Sequence, residues 1–234
     1  MINIELLKNQ AEKIGIELND VALDRFDFLA QRLVRWNEKV NLTAITDPEE
    51  IVVKHFVDSL TAVAYAPISK NARLIDVGCG AGFPGLPVLI ARPDVDVIFL
   101  DSVGKKLSFI KEYLINSGLC GDVLHERAEI IGKDGNFRET FDVATTRAVA
   151  PLNILAEYCL PLLKVGGIYI SLKGAVDELD IGENAIKVLG GEVEKVTSLE
   201  LPGGDKRNVV VIRKISQTPT KYPRKSKKID THPL

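Results

Sequence analysis

The chain has 234 residues, 46% apolar and 26% charged, an ordinary globular composition with enough length for one core domain and a smaller addition. Its 30 basic residues face 32 acidic ones, and the formal net charge of -2 excludes a globally basic nucleic-acid binder while leaving room for a local basic patch. Cys79, Cys120 and Cys159 lie about forty residues apart and His55, His125 and His232 never fall at ligand spacing, which argues against a disulfide framework or a metal site and suits a reducing cytosol.

In chain order, residues 1–68 are predicted to form a helical N-terminal layer. The opening stretch, residues 1–15, is too charged for a signal peptide. No apolar run approaches the roughly 18 residues a membrane span needs, so a cytoplasmic protein with no membrane contact is expected; a monomer is expected as well, though nothing in the sequence fixes the oligomeric state. Leu23, Phe26, Ala30, Leu33 and Val34 recur at helical spacing and predict one buried stripe, with Asn19 or Asp20 as cap. Thr46-Asp47-Pro48-Glu49 predicts a second start, with Thr46 capping, Pro48 opening the helix and Glu49 closing a capping box. That helix would carry Ile51, Val52, His55, Phe56, Ser59, Leu60 and Val63 on one side and break at Tyr65-Ala66-Pro67.

From Ala72 the period changes. Apolar runs at Arg73–Val77, Val95–Asp101, Gly121–Ala128, Phe141–Ala148 and Gly166–Gly174 alternate with a glycine-rich turn and helical stretches, among them residues 152–163. This alternation predicts right-handed βαβ units and a parallel sheet covered on both faces, over residues 69–214. Val209–Ile212, preceded by Gly203-Gly204, predicts a late strand in an edge hairpin. Residues 215–234 form a basic tail. From Arg213 onward there are seven cations (Arg213, Lys214, Lys221, Arg224, Lys225, Lys227, Lys228) against Asp230, so the tail is expected to be flexible in isolation, either a solvated end or a contact for an anionic polymer.

The most informative segment is Leu74–Gly85, in which a buried strand enters a turn with glycines at 78, 80, 82 and 85. Glycines there let the backbone bend sharply and approach a ligand closely. Gly80–Gly85 satisfies the dinucleotide pattern G-x-G-x-x-G, and Asp101 ends the next strand about twenty residues on, placed to accept from a ribose diol. NAD and S-adenosylmethionine share that ribose. Asp76, inside the strand end, would repel a pyrophosphate and attract a methionine ammonium, and Asp101–Lys106 opens its helix in the manner of a methyltransferase ribose site, so the methyl donor is favoured. Tyr169 and Lys173 match the Tyr-x-x-x-Lys spacing of short-chain dehydrogenases, but they fall in a predicted strand and are read as coincidence.

Asp76–Gly85 followed by Leu100–Lys105 resembles the glucose-inhibited division protein B family, bacterial small-subunit ribosomal RNA guanine-N7 methyltransferases. Trp36–Thr43, Lys54–Leu60, Thr146–Ala150 and Lys221–Lys225 are similar to that family as well, so the resemblance spans nearly the whole chain. It implies a Rossmann-like class I S-adenosylmethionine-dependent methyltransferase fold, mostly parallel and seven-stranded, with a helical N-terminal layer. It also implies S-adenosylmethionine as cofactor and 16S rRNA in the small ribosomal subunit as partner. Gly78, Gly80 and Phe83 would line the donor, Asp101 would hold its ribose, Ala128 and Glu129 would read its adenine, and Arg147 would border the pocket. The plainer reading of Glu129 and Arg147 is a surface ion pair.

No catalytic acid or base stands out. The segment Thr145–Ala148 lacks the Asn/Asp-Pro-Pro-Tyr of amine methyltransferases, and Cys120 and Cys159 read as small buried hydrophobes rather than nucleophiles. Guanine N7 needs neither device, because its lone pair carries no proton. Arg147 and Lys173 are candidates for the guanine edge or phosphate, and Lys221, Arg224 and the later lysines for phosphates. His55 and Trp36 read as core residues at least as readily as RNA contacts. Two alternatives stay open: a regulator that binds NAD or S-adenosylmethionine without chemistry, and a methyltransferase acting on protein or a small metabolite.

Overall fold

A computed structural model describes residues 1–147, 150–174 and 178–234. The N-terminal part is helical: α1 (Ile4–Lys13), α2 (Asp20–Asn37), then α3 (Pro48–Glu50) running through a π-helical stretch, Ile51–Val57, into α4 (Asp58–Tyr65). Strands and helices then alternate as β1 (Arg73–Val77), α5 (Gly85–Ala91), β2 (Asp96–Asp101), α6 (Gly104–Ser117), β3 (Asp122–His125), α7 (Ala128–Ile131), β4 (Phe141–Arg147), α8 (Leu152–Cys159), β5 (Leu163–Lys173) and α9 (Leu179–Val188). The hairpin β6 (Gly191–Glu200) and β7 (Lys206–Lys214) follows, and α10 (Ser226–Thr231) lies near the C-terminus.

The seven strands form one sheet in the order β3-β2-β1-β4-β5-β7-β6. β3, β2, β1, β4 and β5 run parallel, and β7 is antiparallel to both β5 and β6. Alternate residues feed opposite cores, as a strand's period of two requires. Leu74, Val97, Val143, Ile170 and Val211 pack with α1, α2, α4, α5 and α6. Ile75, Ile98, Ala144, Tyr169 and Val210 pack with α8 and α9 on the other face.

Three local expectations need correction. The cap of α3 is Asp47, whose carboxylate accepts from the Glu49 and Glu50 amides, and not Thr46. With Pro48 at the first helical position, the residue just before it must occupy the extended cap geometry, and that residue is Asp47. The second helix is not α-helical throughout: the Asp58 amide reaches back to Val53 O, the π spacing. Val34 is exposed, whereas Leu23, Phe26, Ala30 and Leu33 are buried and Asn19 caps α2. Trp36 packs edge-on to Phe109 and donates from Nε1 to Glu112, a structural placement.

Cys159 ends α8, before a 3-10 turn containing Pro161; it is fully buried, and burial raises its thiol pKa, as an unreactive hydrophobe requires, whereas Cys120, also expected to be buried, is exposed in the turn between α6 and β3. Tyr169 and Lys173 sit in β5, four residues and so about 13 Å apart along the strand, too far to interact directly.

The basic tail is packed against the body. Tyr222 is buried, and Arg224 clamps the fully buried carboxylate of Glu157 on α8 through its backbone amide (2.7 Å), Nε (2.9 Å) and Nη2 (2.6 Å). Lys214, also buried, donates to Leu160 O at 2.6 Å and pairs with Glu139 at 3.4 Å. Composition underestimated this order because it counts charges without showing that their partners lie in the domain. Replacing Arg224 with Ala would strand Glu157 in the core and is expected to destabilise the fold by about 3–5 kcal/mol, read by chemical denaturation.

Candidate active site

A cavity of about 800 Å³ opens at the carboxyl ends of β1, β2 and β4, and Gly78, Gly80, Phe83, Asp101, Ala128, Glu129 and Arg147 all line it. Open parallel sheets place ligands at this edge. The turn after β1 takes Gly80 through a φ of 56°, and a Cβ there would meet nothing within 4 Å, so the backbone faces open space. Gly85 is constrained in the opposite way: a Cβ would come within 2.5 Å of the Phe99 ring and 2.7 Å of Asp76 Oδ2.

Asp101 is fixed before any ligand arrives. Its Oδ2 accepts from the Gly80 amide at 2.9 Å and its Oδ1 from the Val103 amide at 2.8 Å. A carboxylate offers about four lone pairs, so two remain for a ligand. Glu129, in the short α7, accepts from Arg127 Nε through Oε1 at 2.6 Å, which leaves Oε2 for the cavity. The ion pair weighed between Glu129 and Arg147 does not form, since each has another partner.

Arg147 is the hub of the far wall. Its Nη1 donates to Lys54 O (2.7 Å) and Asp58 Oδ2 (3.2 Å), and its Nη2 donates to His55 Nδ1 (3.0 Å). The guanidinium lies 5.0 Å from the centre of the Phe83 ring, on which His55 stacks at 4.5 Å. Arg207 of β7 donates to the other Asp58 oxygen at 3.2 Å. Because Arg147 can only donate, His55 Nδ1 accepts and the proton sits on Nε2, directed at Thr43 Oγ1 at 2.9 Å. Burial and the Arg147 charge lower the His55 pKa to about 3, so it is a neutral, fully engaged imidazole. Lys173 Nζ bonds the Ala150 carbonyl and pairs with Glu178 Oε2 at 2.8 Å. Ala148 and Val149 lie outside the described residues.

Asp76 departs from expectation. Its carboxylate is fully buried and does not line the cavity; Oδ2 accepts from the Gly85 amide at 2.8 Å, and Oδ1 has no partner among the described residues. Burial raises its pKa to about 7. It fastens the glycine turn and acts on a ligand only through its field.

Sequence reasoning missed Asp58 and Arg207 as parts of this wall. Asp58 could have been flagged as a carboxylate beside the apolar stripe of its helix, whereas Arg207 is 149 residues away and carried no local signal.

A model of the rRNA small subunit methyltransferase G family, GidB, matches residues 22–210. The chain is 44% identical to the "Ribosomal RNA small subunit methyltransferase G" of Alkaliphilus oremlandii, with 98% of both chains covered. It is 46% identical to the protein of the same name from Acetivibrio thermocellus, covering 98% of this chain and 96% of that one. The chain belongs to the rRNA small subunit methyltransferase G family.

Solved structures add the fold. TrmN from Thermus thermophilus superposes with a TM-score of 0.54 at 21% identity over 68% of this chain and 48% of that one. The [4+2]-cyclase SpnF superposes with a TM-score of 0.55 at 15% identity over 68% of this chain and 81% of that one. A cyclase on the same sheet shows that fold alone does not set the chemistry, whereas membership in the methyltransferase family does.

The residues of this family member fit S-adenosylmethionine. Asp101 offers two lone pairs to a vicinal diol, Glu129 Oε2 and the Ala128 amide suit an adenine edge, and Gly80 leaves room for close approach. Asp76 is buried away from the cavity and Asp101 would serve the ribose of either cofactor, so family membership rather than the charges of the turn decides against a dinucleotide.

The raised pKa of Asp76 has a sign that can be checked. Between its ordinary value and about 7 the folded state binds this proton more tightly than the unfolded state, so the stabilisation is full at low pH and lost as pH rises through 7. Asp76→Asn keeps an acceptor for Gly85 without the charge. Its stability relative to the parent protein is therefore expected to climb from about pH 4 to about pH 7 and level off above, as read by urea denaturation across that range.

Proposed function

We propose that this chain transfers a methyl group from S-adenosylmethionine to N7 of a guanine in small-subunit (16S) ribosomal RNA. The observation that carries the reading is a cavity with a carboxylate, Asp101, fixed by two backbone amides at one end and, among its described residues, no free proton acceptor poised at the other. His55 has both nitrogens engaged, Arg147 and Lys173 are cations, and Asp58 is taken up by two guanidiniums. N7 carries no proton, so a base would have nothing to remove. When bound, S-adenosylmethionine supplies an electrophilic methyl on a positive sulfur: the sulfur–carbon bond breaks as the nitrogen–carbon bond forms.

The chain's part is placement. Asp101 holds the ribose, Ala128 and Glu129 the adenine, and Gly78, Gly80 and Phe83 shape the passage toward Arg147. Bringing N7 into line with the methyl is an orientation effect worth up to about 7–11 kcal/mol. Arg147 and Lys173 stand where O6 or a phosphate of the guanine nucleotide would lie, leaving N7 open.

Residues 1–68 act in this reading as a helical layer, 69–214 as the methyltransferase domain and 215–234 as a C-terminal segment. Lys221, Lys225, Lys227 and Lys228 are exposed and suit phosphates, whereas Arg224 is spent on Glu157. The chain is taken to work in the cytoplasm as a monomer without metal, and its RNA partner to be the small subunit.

Small subunits from cells lacking the protein, incubated with it and labelled donor, are expected to take label into one guanine of the RNA. Label in protein alone, or nowhere, would reject the reading. Asp101→Ala is expected to weaken donor binding at least tenfold, about 1.4 kcal/mol, by calorimetric titration; unchanged affinity would move the ribose site elsewhere.

A further inference from the structure

The ligand-bearing edge of the sheet does not stop at β5. Because β7 runs antiparallel, its first residues lie beside the carboxyl end of β5, with Asn208 opposite Lys173. β6 brings its last residues to the same edge, with Ser198 opposite Asn208 and Glu200 opposite Lys206. A second cavity of about 480 Å³ occupies this extension, and Lys173 and Arg207 line both it and the donor cavity. The two spaces are therefore neighbours along one crevice. The volume is within the ordinary range for a small-ligand pocket, about 300–1,000 Å³.

Its walls suit a nucleotide. Leu152, Val196, Leu199 and Val210 offer apolar surface for a base face. Ser198 Oγ donates to Asn208 Oδ1 at 2.7 Å, and Asn208 Nδ2 reaches Gly174 O at 3.2 Å, which places hydrogen-bonding groups along the β6–β7 side. Glu178 Oε2 accepts from the Leu152 amide at 2.8 Å and pairs with Lys173, and Glu200 is a second lining carboxylate able to accept from a base amine. The Lys206 ammonium is exposed and has no ion pair among the described residues.

We propose that this second cavity seats the nucleotide adjoining the target guanine, with the intervening phosphate at the shared cations Lys173 and Arg207 and a further phosphate at Lys206. The proposal rests on the reading of RNA as the methyl acceptor. It gives the antiparallel hairpin a task beyond the hold of Arg207 on Asp58.

Val196→Trp tests it, because Val196 is 40% exposed and a larger side chain there fills the cavity without entering the core. With small ribosomal subunits from cells lacking the protein as the probe, kcat/KM is expected to fall at least tenfold while the calorimetric Kd for S-adenosylmethionine stays within about twofold. Lys206→Ala is expected to raise the KM for subunits and to make their binding less sensitive to salt, by a slope of about one. Unchanged subunit kinetics in Val196→Trp would overturn the proposal, as would a loss of donor affinity in step with activity. A parent protein that labels no RNA would instead refute the functional reading on which the proposal rests, a result visible without any variant.

Discussion

The guanidinium of Arg147, leaving the carboxyl end of β4, joins the sheet to the helical layer above it, and the geometry of the far wall follows from that joint. It donates to the Lys54 carbonyl, the Asp58 carboxylate and the His55 ring, all on the π-to-α transition between α3 and α4. Asp58 is in turn shared with Arg207 from β7, so one carboxylate ties two strands to one helix. Buried pairs of this kind contribute little net stability, since desolvation offsets attraction. Their effect here is to fix an arrangement: the Phe83 ring, at the lip of the glycine turn, lies against both His55 and Arg147.

Two buried titratable groups near this joint are held in unusual protonation states by the same cause. Burial drives His55 toward the neutral imidazole and Asp76 toward the neutral acid. Their contributions to stability oppose each other. The His55 contribution is present above its ordinary pKa and is lost as pH falls toward 3, whereas that of Asp76 is present at low pH and is lost as pH rises through 7. Between about pH 4 and about pH 6.5 the two slopes partly cancel. Neither group offers a base to the cavity, since His55 has both nitrogens engaged and Asp76 does not line it, which suits the N7 acceptor proposed above.

The donor end is rigid in a different way. Asp101, the proposed ribose acceptor, is oriented by two backbone amides, one from each flanking loop, so its carboxylate depends on main chain that cannot swing away. The exposed cations proposed to meet phosphate, by contrast, are long side chains on the rim and the tail. In that reading the site divides into a fixed socket for the donor and a compliant border for a large anionic partner.

The period change at Ala72, the glycine turn, the placement of Asp101 after the second strand and the family motifs were all legible in the sequence, because each is carried by residues within a few positions of one another. The cap at Asp47 was nearly legible and was missed by one residue, since capping depends on a backbone angle that Pro48 sets locally. The partners of Arg147 were not legible. The Lys54 carbonyl, His55 and Asp58 meet it across about ninety residues of chain, Arg207 shares Asp58 from farther still, and no spacing rule encodes which groups a fold will bury together. The same limit hid the order of the tail: Arg224 reads as a free cation until tertiary packing places the buried Glu157 carboxylate beneath it. Local sequence therefore determined the sheet, the turn and the donor chemistry. Tertiary structure alone decided which charges are spent holding the site and which remain to meet a substrate, because a charge's availability depends on the partner that burial brings to it.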